Sequence, residues 1–168
     1  MLSEKVEKIL NVQVDKEAYS SHLYLAMASW AEVNGYKGIA EWFYAQAEEE
    51  RMHMLKLIGY INDRDGKSVI PLIKEPPADF PGVKELFVMA LEHEKFISKS
   101  INEIVAVCID ENDHTTHNWI QWFVTEQIEE EASVKEIIDK LNLVGEHNMY
   151  MFDRDIMGMR GSEAGEEA

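Results

Sequence analysis

The 168-residue sequence is long enough for one globular domain with a substantial core, and 46 % of its residues are apolar. Its net charge of −16 argues against binding to nucleic acid, which requires basic patches that attract phosphate groups. One cysteine excludes an internal disulfide, and without a signal peptide or an apolar run near the ~18 residues of a membrane span we expect a cytoplasmic protein.

The first half of the chain predicts two long helices, because apolar residues recur with helical spacing between turn-forming residues. The first helix spans residues 4–33, with Ser3 as its N-cap and Asn34-Gly35 as its end. The second helix spans residues 36–64 and ends at Asp65-Gly66. The short connection between them makes the two helices antiparallel neighbours.

The second half has the same organisation and follows a proline-rich link. All four prolines lie between residues 71 and 81, inside a connection that runs over residues 66–82. Residues 68–73, Ser-Val-Ile-Pro-Leu-Ile, are apolar and interrupted by proline, and we expect them to form an extended strap that packs on another surface, such as a neighbouring subunit. The third helix spans residues 83–111 and the fourth spans residues 115–144.

The link is long enough to run the length of a bundle. Residues 1–145, ending at Gly145, therefore predict an all-α four-helix bundle with one long crossover between its second and third helices. Residues 146–159 predict a short C-terminal fifth helix, which needs a packing surface to be stable in water. The small and acidic residues 160–168 predict a disordered tail.

Each of the four long helices carries one glutamate inside its apolar stripe, near mid-length, where a leucine would be expected. They are Glu17, Glu50, Glu94 and Glu130, and His53 follows Glu50 by three residues. A buried carboxylate is unfavourable unless a positive charge compensates it, and no Lys or Arg shares these stripes.

An antiparallel bundle brings the middles of its helices to one level. The four carboxylates and the imidazole therefore predict a shell for a pair of metal ions, of which iron, manganese or zinc suit such ligands. For any one of these glutamates the alternative is a boundary residue with its carboxylate in solvent. Their coincidence on four different helices favours the metal site.

In the di-iron bundle motif, two helices each supply one Glu and the other two each supply a Glu-x-x-His pair. The second helix here has such a pair in Glu50 and His53, but the fourth helix has Gln127-x-x-Glu130 in its place. One metal therefore has fewer strong ligands than the other. Such a labile position suits iron that leaves after oxidation better than a permanent cofactor.

The chain resembles the non-haem bacterial ferritins over nearly its whole length. The segments that carry the resemblance are EAYSSHLYLAM (17–27), AEEERMHM (47–54), ALEHEKF (90–96) and WFVTEQIEEE (122–131). The resemblance implies a ferritin-like bundle that stores and detoxifies iron. It implies a ferroxidase that oxidises Fe(II) with dioxygen or peroxide and deposits ferric mineral inside a shell of twenty-four subunits.

The resemblance also implies the ligands of a di-iron ferroxidase centre. The first iron would be held by Glu17, Glu50 and His53. The second iron would be held by Glu50, Glu94 and Glu130, so that Glu50 bridges the two ions.

Three neighbours of this centre follow from the same resemblance. Gln127 would be a hydrogen-bonding or weak ligand, Tyr24 a redox-active or hydrogen-bonding group, and Trp122 an electron donor. Core packing explains a large aromatic residue at helical spacing equally well.

Bacterial ferritins have a third iron site towards the cavity, and this sequence matches its carboxylates. They are Glu49, Glu126 and Glu129, with Glu130 shared. Gln46 stands where some relatives carry histidine, which weakens the expected site. The alternative for these acids is a solvated charged face.

Other classes differ from this chain at specific positions. A haem-containing bacterioferritin would have histidine at Glu130 and methionine at Arg51, so no haem is expected. A DNA-protecting mini-ferritin lacks the fifth helix and often has a basic tail, whereas this tail is acidic. A di-iron oxygenase or peroxidase usually has a histidine on each metal or an added CxxC module, and the sequence has neither. A metal-free structural bundle would leave four core carboxylates unpaired, and their burial would together cost several kcal/mol of folding free energy.

The family likeness sets expectations for the assembly. The strap would pack at a twofold interface, and the fifth helix would meet its symmetry mates at a fourfold axis. That axis would be lined by Met149, Tyr150, Phe152, Ile156 and Met157. At the threefold pore, His117 and Ile120 stand where animal ferritins have carboxylates, so the route of iron uptake is left open.

Overall fold

The computed structural model describes residues 1–160, which form a four-helix bundle followed by a short helical segment. The long helices are α1 (Glu4–Val33), α2 (Lys37–Asp63), α3 (Val83–Asp110) and α4 (His114–Val144). The C-terminal segment comprises a 3-10 turn (Glu146–Asn148), α5 (Met149–Asp155) and a second 3-10 turn (Ile156–Met159). The predicted all-α bundle with a long crossover and a short fifth helix is confirmed. Residues 161–168 of the predicted tail lie outside the described part.

Helix ends are set by capping side chains and by glycines with positive φ. At the start of α1, the Val6 backbone amide donates to Ser3 Oγ at 3.3 Å, as predicted. In α4 the Thr116 amide donates to Asp113 at 2.9 Å, so this helix begins one residue earlier than predicted. Gly35 and Gly145 have φ angles of 87° and 66°, and they end α1 and α4 because a side chain is strained there.

A polar belt at mid-height divides the apolar core into two clusters. One cluster surrounds Phe43 and Phe87, and the other surrounds Leu10 and Phe123. Between them, each long helix contributes buried polar side chains: Gln13, Glu17, Ser20, Ser21, Gln46, Glu50, His53, Glu94, Ser100, Gln127 and Glu130. The polar residues that interrupt the four apolar stripes therefore lie at one level of the bundle, as predicted from antiparallel packing of the helices.

The C-terminal segment packs against α2 of its own bundle. A side chain at Gly38 would overlap the backbone carbonyl of Asp153, so only glycine permits this approach. The Ile39 amide donates to Asp153 Oδ1 at 2.9 Å. Phe152 and Ile156 are buried in the subunit's own core, and this differs from their expected place at a symmetry axis. Their burial follows from the need of so short a helix for an apolar surface.

The crossover is tied to α1 through Asn11. The Asn11 side chain donates to the Lys67 carbonyl at 3.0 Å and accepts from the Val69 amide at 2.7 Å. Beyond this attachment the strap exposes apolar side chains, and Leu72 is 97 % exposed. The strap therefore has apolar surface that its own subunit does not cover.

The single cysteine, Cys108, is buried in the apolar cluster around Leu10 and Phe123. Burial raises the pKa of its thiol to about 11. Within residues 1–160, none of the helices has an apolar stretch of the length that a bilayer span requires.

Candidate metal centre

Four helices each place one carboxylate in the polar belt. Glu17 on α1, Glu50 on α2, Glu94 on α3 and Glu130 on α4 are at most 6 % exposed, and His53 is equally buried. Each carboxylate occupies a core-facing helical position, so the apolar residues one turn away hold it inside. The five side chains that the sequence singled out therefore lie in one buried layer.

The Glu17 carboxylate, the Glu50 carboxylate and the His53 imidazole form a compact group. Each offers one ligand atom, and these atoms lie within 4.8 Å of one another. The distance from His53 Nδ1 to Glu50 Oε2 is 3.6 Å. Among residues 1–160, no N–H or hydroxyl donor reaches Glu17 Oε2 or Glu50 Oε2, although both oxygens are buried, and the Glu50 carboxyl group has a hydrogen bond only with the Glu17 carboxyl group, which raises the Glu50 pKa. Buried acceptors of this kind are rare unless an ion or a water compensates them.

The Glu94 carboxylate faces two donors. The Tyr24 hydroxyl donates to Glu94 Oε1, and Gln127 Nε2 donates to Glu94 Oε2 at 3.1 Å. Gln127 Nε2 also donates to the Glu94 backbone carbonyl at 3.2 Å. Tyr24 and Gln127, both predicted as neighbours of the centre, therefore orient Glu94 directly.

Burial and mutual repulsion raise the carboxyl pKa values in the belt. The pKa of Glu50 is raised well above its ordinary value, first by desolvation and then by the charges of Glu94, Glu17 and Glu130. Desolvation raises the pKa of Glu94 to about 7, although hydrogen bonds from Tyr24 and Gln127 oppose the rise. Without a cation, the belt therefore retains protons near neutral pH.

A second group lies beside the first and shares its histidine. Ligand atoms of Glu49, His53, Glu126 and Glu130 lie within 4.8 Å of one another. It contains three of the four carboxylates predicted for a third site, whereas Glu129 lies on the exposed side of α4. Because His53 and Glu130 are buried and Glu49 and Glu126 are half-buried, this group opens towards the surface.

Gln13 is a buried residue of the centre that the sequence did not single out. Its Nε2 donates to Glu17 Oε1 at 2.7 Å. Its Oε1 accepts from Ser100 Oγ, which in turn accepts from Lys16 Nζ, both at 2.5 Å. This series of hydrogen bonds fixes one oxygen of Glu17 and leaves Oε2 for a metal. The signal in the sequence was a polar residue one turn before Glu17 on the same helical face.

Two side chains beside the belt, Trp122 and His93, contact residues within it. The Trp122 ring meets the His53 ring edge-on at 5.4 Å, and Lys56 Nζ lies 3.7 Å from the Trp122 centroid. His93, which had no predicted role, hydrogen-bonds Ser20 at 2.7 Å, and burial lowers its pKa to about 4.

The comparison with known sequences decides the family. The ferritin-like domain family matches residues 7–144 of this chain. A bacterial non-heme ferritin of Campylobacter jejuni is 42 % identical over 158 residues, which cover 93 % of this chain and 95 % of the relative. The chain belongs to the ferritin family. The predicted resemblance to the non-haem bacterial ferritins is thereby confirmed.

Other ferritins agree in sequence and in fold. A bacterial non-heme ferritin of Escherichia coli O157:H7 is 37 % identical over 155 residues, covering 91 % of this chain and 93 % of the relative. An open pore ferritin from the archaeon Archaeoglobus fulgidus superposes with a TM-score of 0.90 at 38 % identity, covering 92 % of this chain and 96 % of that structure.

Family membership and the carboxylate–histidine groups agree on the chemistry. Non-haem ferritins store iron and oxidise it, and the present ferritin has buried side chains suited to binding metal. The predicted function, iron storage with ferroxidase activity, is confirmed at this level.

Proposed function

We propose that this ferritin oxidises Fe(II) at a two-iron centre inside each bundle. The first iron would bind Glu17, Glu50 and His53, whose ligand atoms lie within 4.8 Å of one another. The second iron would bind Glu50, Glu94 and Glu130, which are buried and of which Glu94 and Glu130 raise the pKa of Glu50 through their charges. Gln127 lies beside the pair and orients Glu94. Two Fe(II) ions supply one electron each, and one dioxygen with two protons accepts both electrons to give hydrogen peroxide.

The observation that carries this proposal is the pair of buried oxygens, Glu17 Oε2 and Glu50 Oε2, that no N–H or hydroxyl donor within residues 1–160 reaches. A buried carboxylate oxygen without a donor costs about 1–3 kcal/mol or more. A divalent cation removes that cost and also the repulsion between the acids. The raised pKa values of Glu50 and Glu94 fit this role, because a metal that displaces their protons restores the ionised form.

Tyr24 has a positioning role in the proposal. Its pKa is raised well above the ordinary value, chiefly by burial and next by the Glu94 charge, so its hydroxyl stays protonated and donates to Glu94. The hydrogen bond favours the ionised form of Glu94, which is the form that binds iron.

The second group extends the proposal to a third, weaker site. Glu49, Glu126 and Glu130 converge there, and exposed Glu129 lies next to Glu130 on the same helix. Half-buried carboxylates beside the two-iron centre suit ferric ions that leave it towards a mineral core. Gln46 donates to Glu130 at 2.5 Å and supplies no imidazole, in keeping with weak binding.

We further propose that the subunit assembles with copies of itself into a cytoplasmic shell of twenty-four chains that holds ferric mineral and no haem. The exposed apolar side chains of the strap support a subunit interface. The net charge of −16 suits the accumulation of cations and disfavours nucleic acid.

The test is aerobic addition of two Fe(II) per subunit to iron-free protein, with ferric absorbance followed by stopped flow. Glu50→Ala and Glu130→Ala should each slow oxidation roughly tenfold or more, because each removes a buried ligand. Glu48→Ala is the matched control, since Glu48 lies on the same helix and is exposed. Oxidation at the parent rate in both ligand variants, after subtraction of iron in buffer, would show that the site lies elsewhere.

A further inference from the structure

The C-terminal segment places the positively charged guanidinium of Arg160 at the edge of the second group of ligands, which consists of Glu49, His53, Glu126 and Glu130. Arg160 Nη2 donates to Glu49 Oε2 at 2.7 Å, and Arg160 Nη1 donates to Gln46 Oε1 at 3.0 Å and to the Trp42 carbonyl at 3.3 Å. The guanidinium also lies 5.6 Å from the Trp42 ring centroid. The Arg160 and Glu49 side chains are only 22 % and 19 % exposed, so solvent screens this ion pair less than a surface pair.

The path of the chain explains how this arginine reaches the site. The close approach at Gly38 and the bond from Ile39 to Asp153 fix α5 against α2. Burial of Ile156 then anchors the following turn, and Arg160 reaches α2 two to three turns beyond Gly38. The contact is therefore part of how the segment docks.

Gln46 extends the influence of Arg160 to a second acid. A guanidinium can only donate, so Gln46 must present its oxygen to Arg160 and its amino group to Glu130. Gln46 Nε2 donates to Glu130 Oε2 at 2.5 Å. Arg160 thus neutralises Glu49 directly and polarises the amide that binds Glu130.

We propose that Arg160 is a built-in competitor for the third metal site, occupying Glu49 in the metal-free subunit and keeping that site weaker than the two-iron centre. The inference rests on the proposed third site. A divalent cation bound by Glu49, Glu126 and Glu130 must displace the guanidinium or tolerate its positive charge nearby. Either requirement lowers the affinity of this group most, because the guanidinium is bonded directly to Glu49, which belongs to it and not to the Glu17–Glu50–His53 group.

An arginine that orients Glu49 would have the opposite effect on metal affinity from one that competes with the metal, so an experiment can distinguish the two roles. An arginine that merely oriented Glu49 would strengthen metal binding, as outer-shell partners of ligands usually do. The two roles predict opposite signs when the positive charge is removed.

The experiment is calorimetric titration of the assembled, metal-free protein with Zn²⁺, which binds carboxylate and imidazole without redox chemistry. We expect two tight events and one weak event per subunit in the parent. Arg160→Gln should tighten the weak event roughly ten- to a hundredfold, the usual size of an outer-shell effect on metal affinity. Arg160→Lys keeps the charge and should stay closer to the parent, and Glu49→Gln should abolish the weak event.

Arg154→Gln is the matched control, because Arg154 lies in the same segment but is paired with exposed Asp155. It should leave all three events unchanged. An unchanged or weaker third event in Arg160→Gln would overturn the proposal while the two tight events keep the two-iron centre intact. Loss of the two tight events from the parent itself would overturn the proposed centre and this inference together.

Discussion

The pKa of Glu94 predicts how the stability of the iron-free protein changes with pH. Burial raises this pKa from 4.5 to about 7, so the folded state binds a proton more tightly than the unfolded state. Stability from this group is fully present below about pH 4.5 and is lost as pH rises through about 7. At about 1.4 kcal/mol per pKa unit, Glu94 lowers the free energy of unfolding by about 2–3 kcal/mol between pH 5 and pH 8.

Glu94→Gln removes the ionisation while keeping the size of the side chain. The variant should therefore gain about 2–3 kcal/mol relative to the parent as pH rises from 5 to 8, because it has no proton to lose. The side-chain amide of Gln127 can rotate to offer its oxygen to the new amide. Urea unfolding of iron-free protein at several pH values, at fixed protein concentration, measures the difference.

Glu92→Gln is the matched control, since Glu92 lies on the same helix and is exposed. Its unfolding curve should follow the parent at every pH. Parallel pH profiles for the parent and Glu94→Gln would refute the idea that Glu94 retains a proton in the folded belt. Saturation with Zn²⁺ should flatten the parent profile, because the bound metal replaces the proton.

Three further predictions concern other contacts. Gln13→Leu removes the donor to Glu17 Oε1 and should weaken Zn²⁺ binding to the tight site that uses Glu17 roughly ten- to a hundredfold in calorimetry. Tyr24→Phe removes a hydrogen bond that lowers the Glu94 pKa, so the midpoint of metal binding should move to higher pH in equilibrium dialysis. Leu72→Asp puts a charge on the exposed strap, and sedimentation velocity should show smaller species than the parent if the strap lies at an interface.

Helix boundaries were predictable because they depend on local chemistry. Ser3 caps α1, and Gly35 and Gly145 supply the left-handed conformation that ends a helix. The fourth helix begins one residue before its predicted start because the carboxylate of Asp113 caps it, an N-cap that the predicted range did not include. The level of the carboxylates followed from their mid-helix positions together with antiparallel packing.

The parts that were not predicted depend on the path of the chain in three dimensions. Arg160 reaches Glu49 across 111 positions of sequence, and only the docking of α5 brings them together. The expected lining of a symmetry axis failed for Phe152 for the same reason, since the subunit's own core offered it a place. Gln13 was missed because an amide on an apolar stripe gives no sign of its partner.

The burial of Cys108 offers a practical benefit for spectroscopy. Cys108 is 1 % exposed, and burial raises the pKa of its thiol to about 11, so maleimide reagents should leave it untouched at neutral pH. A second cysteine introduced on the strap would then be the selective attachment point for a fluorophore or spin label. Assembly of the subunits could be followed in real time without first removing the native thiol.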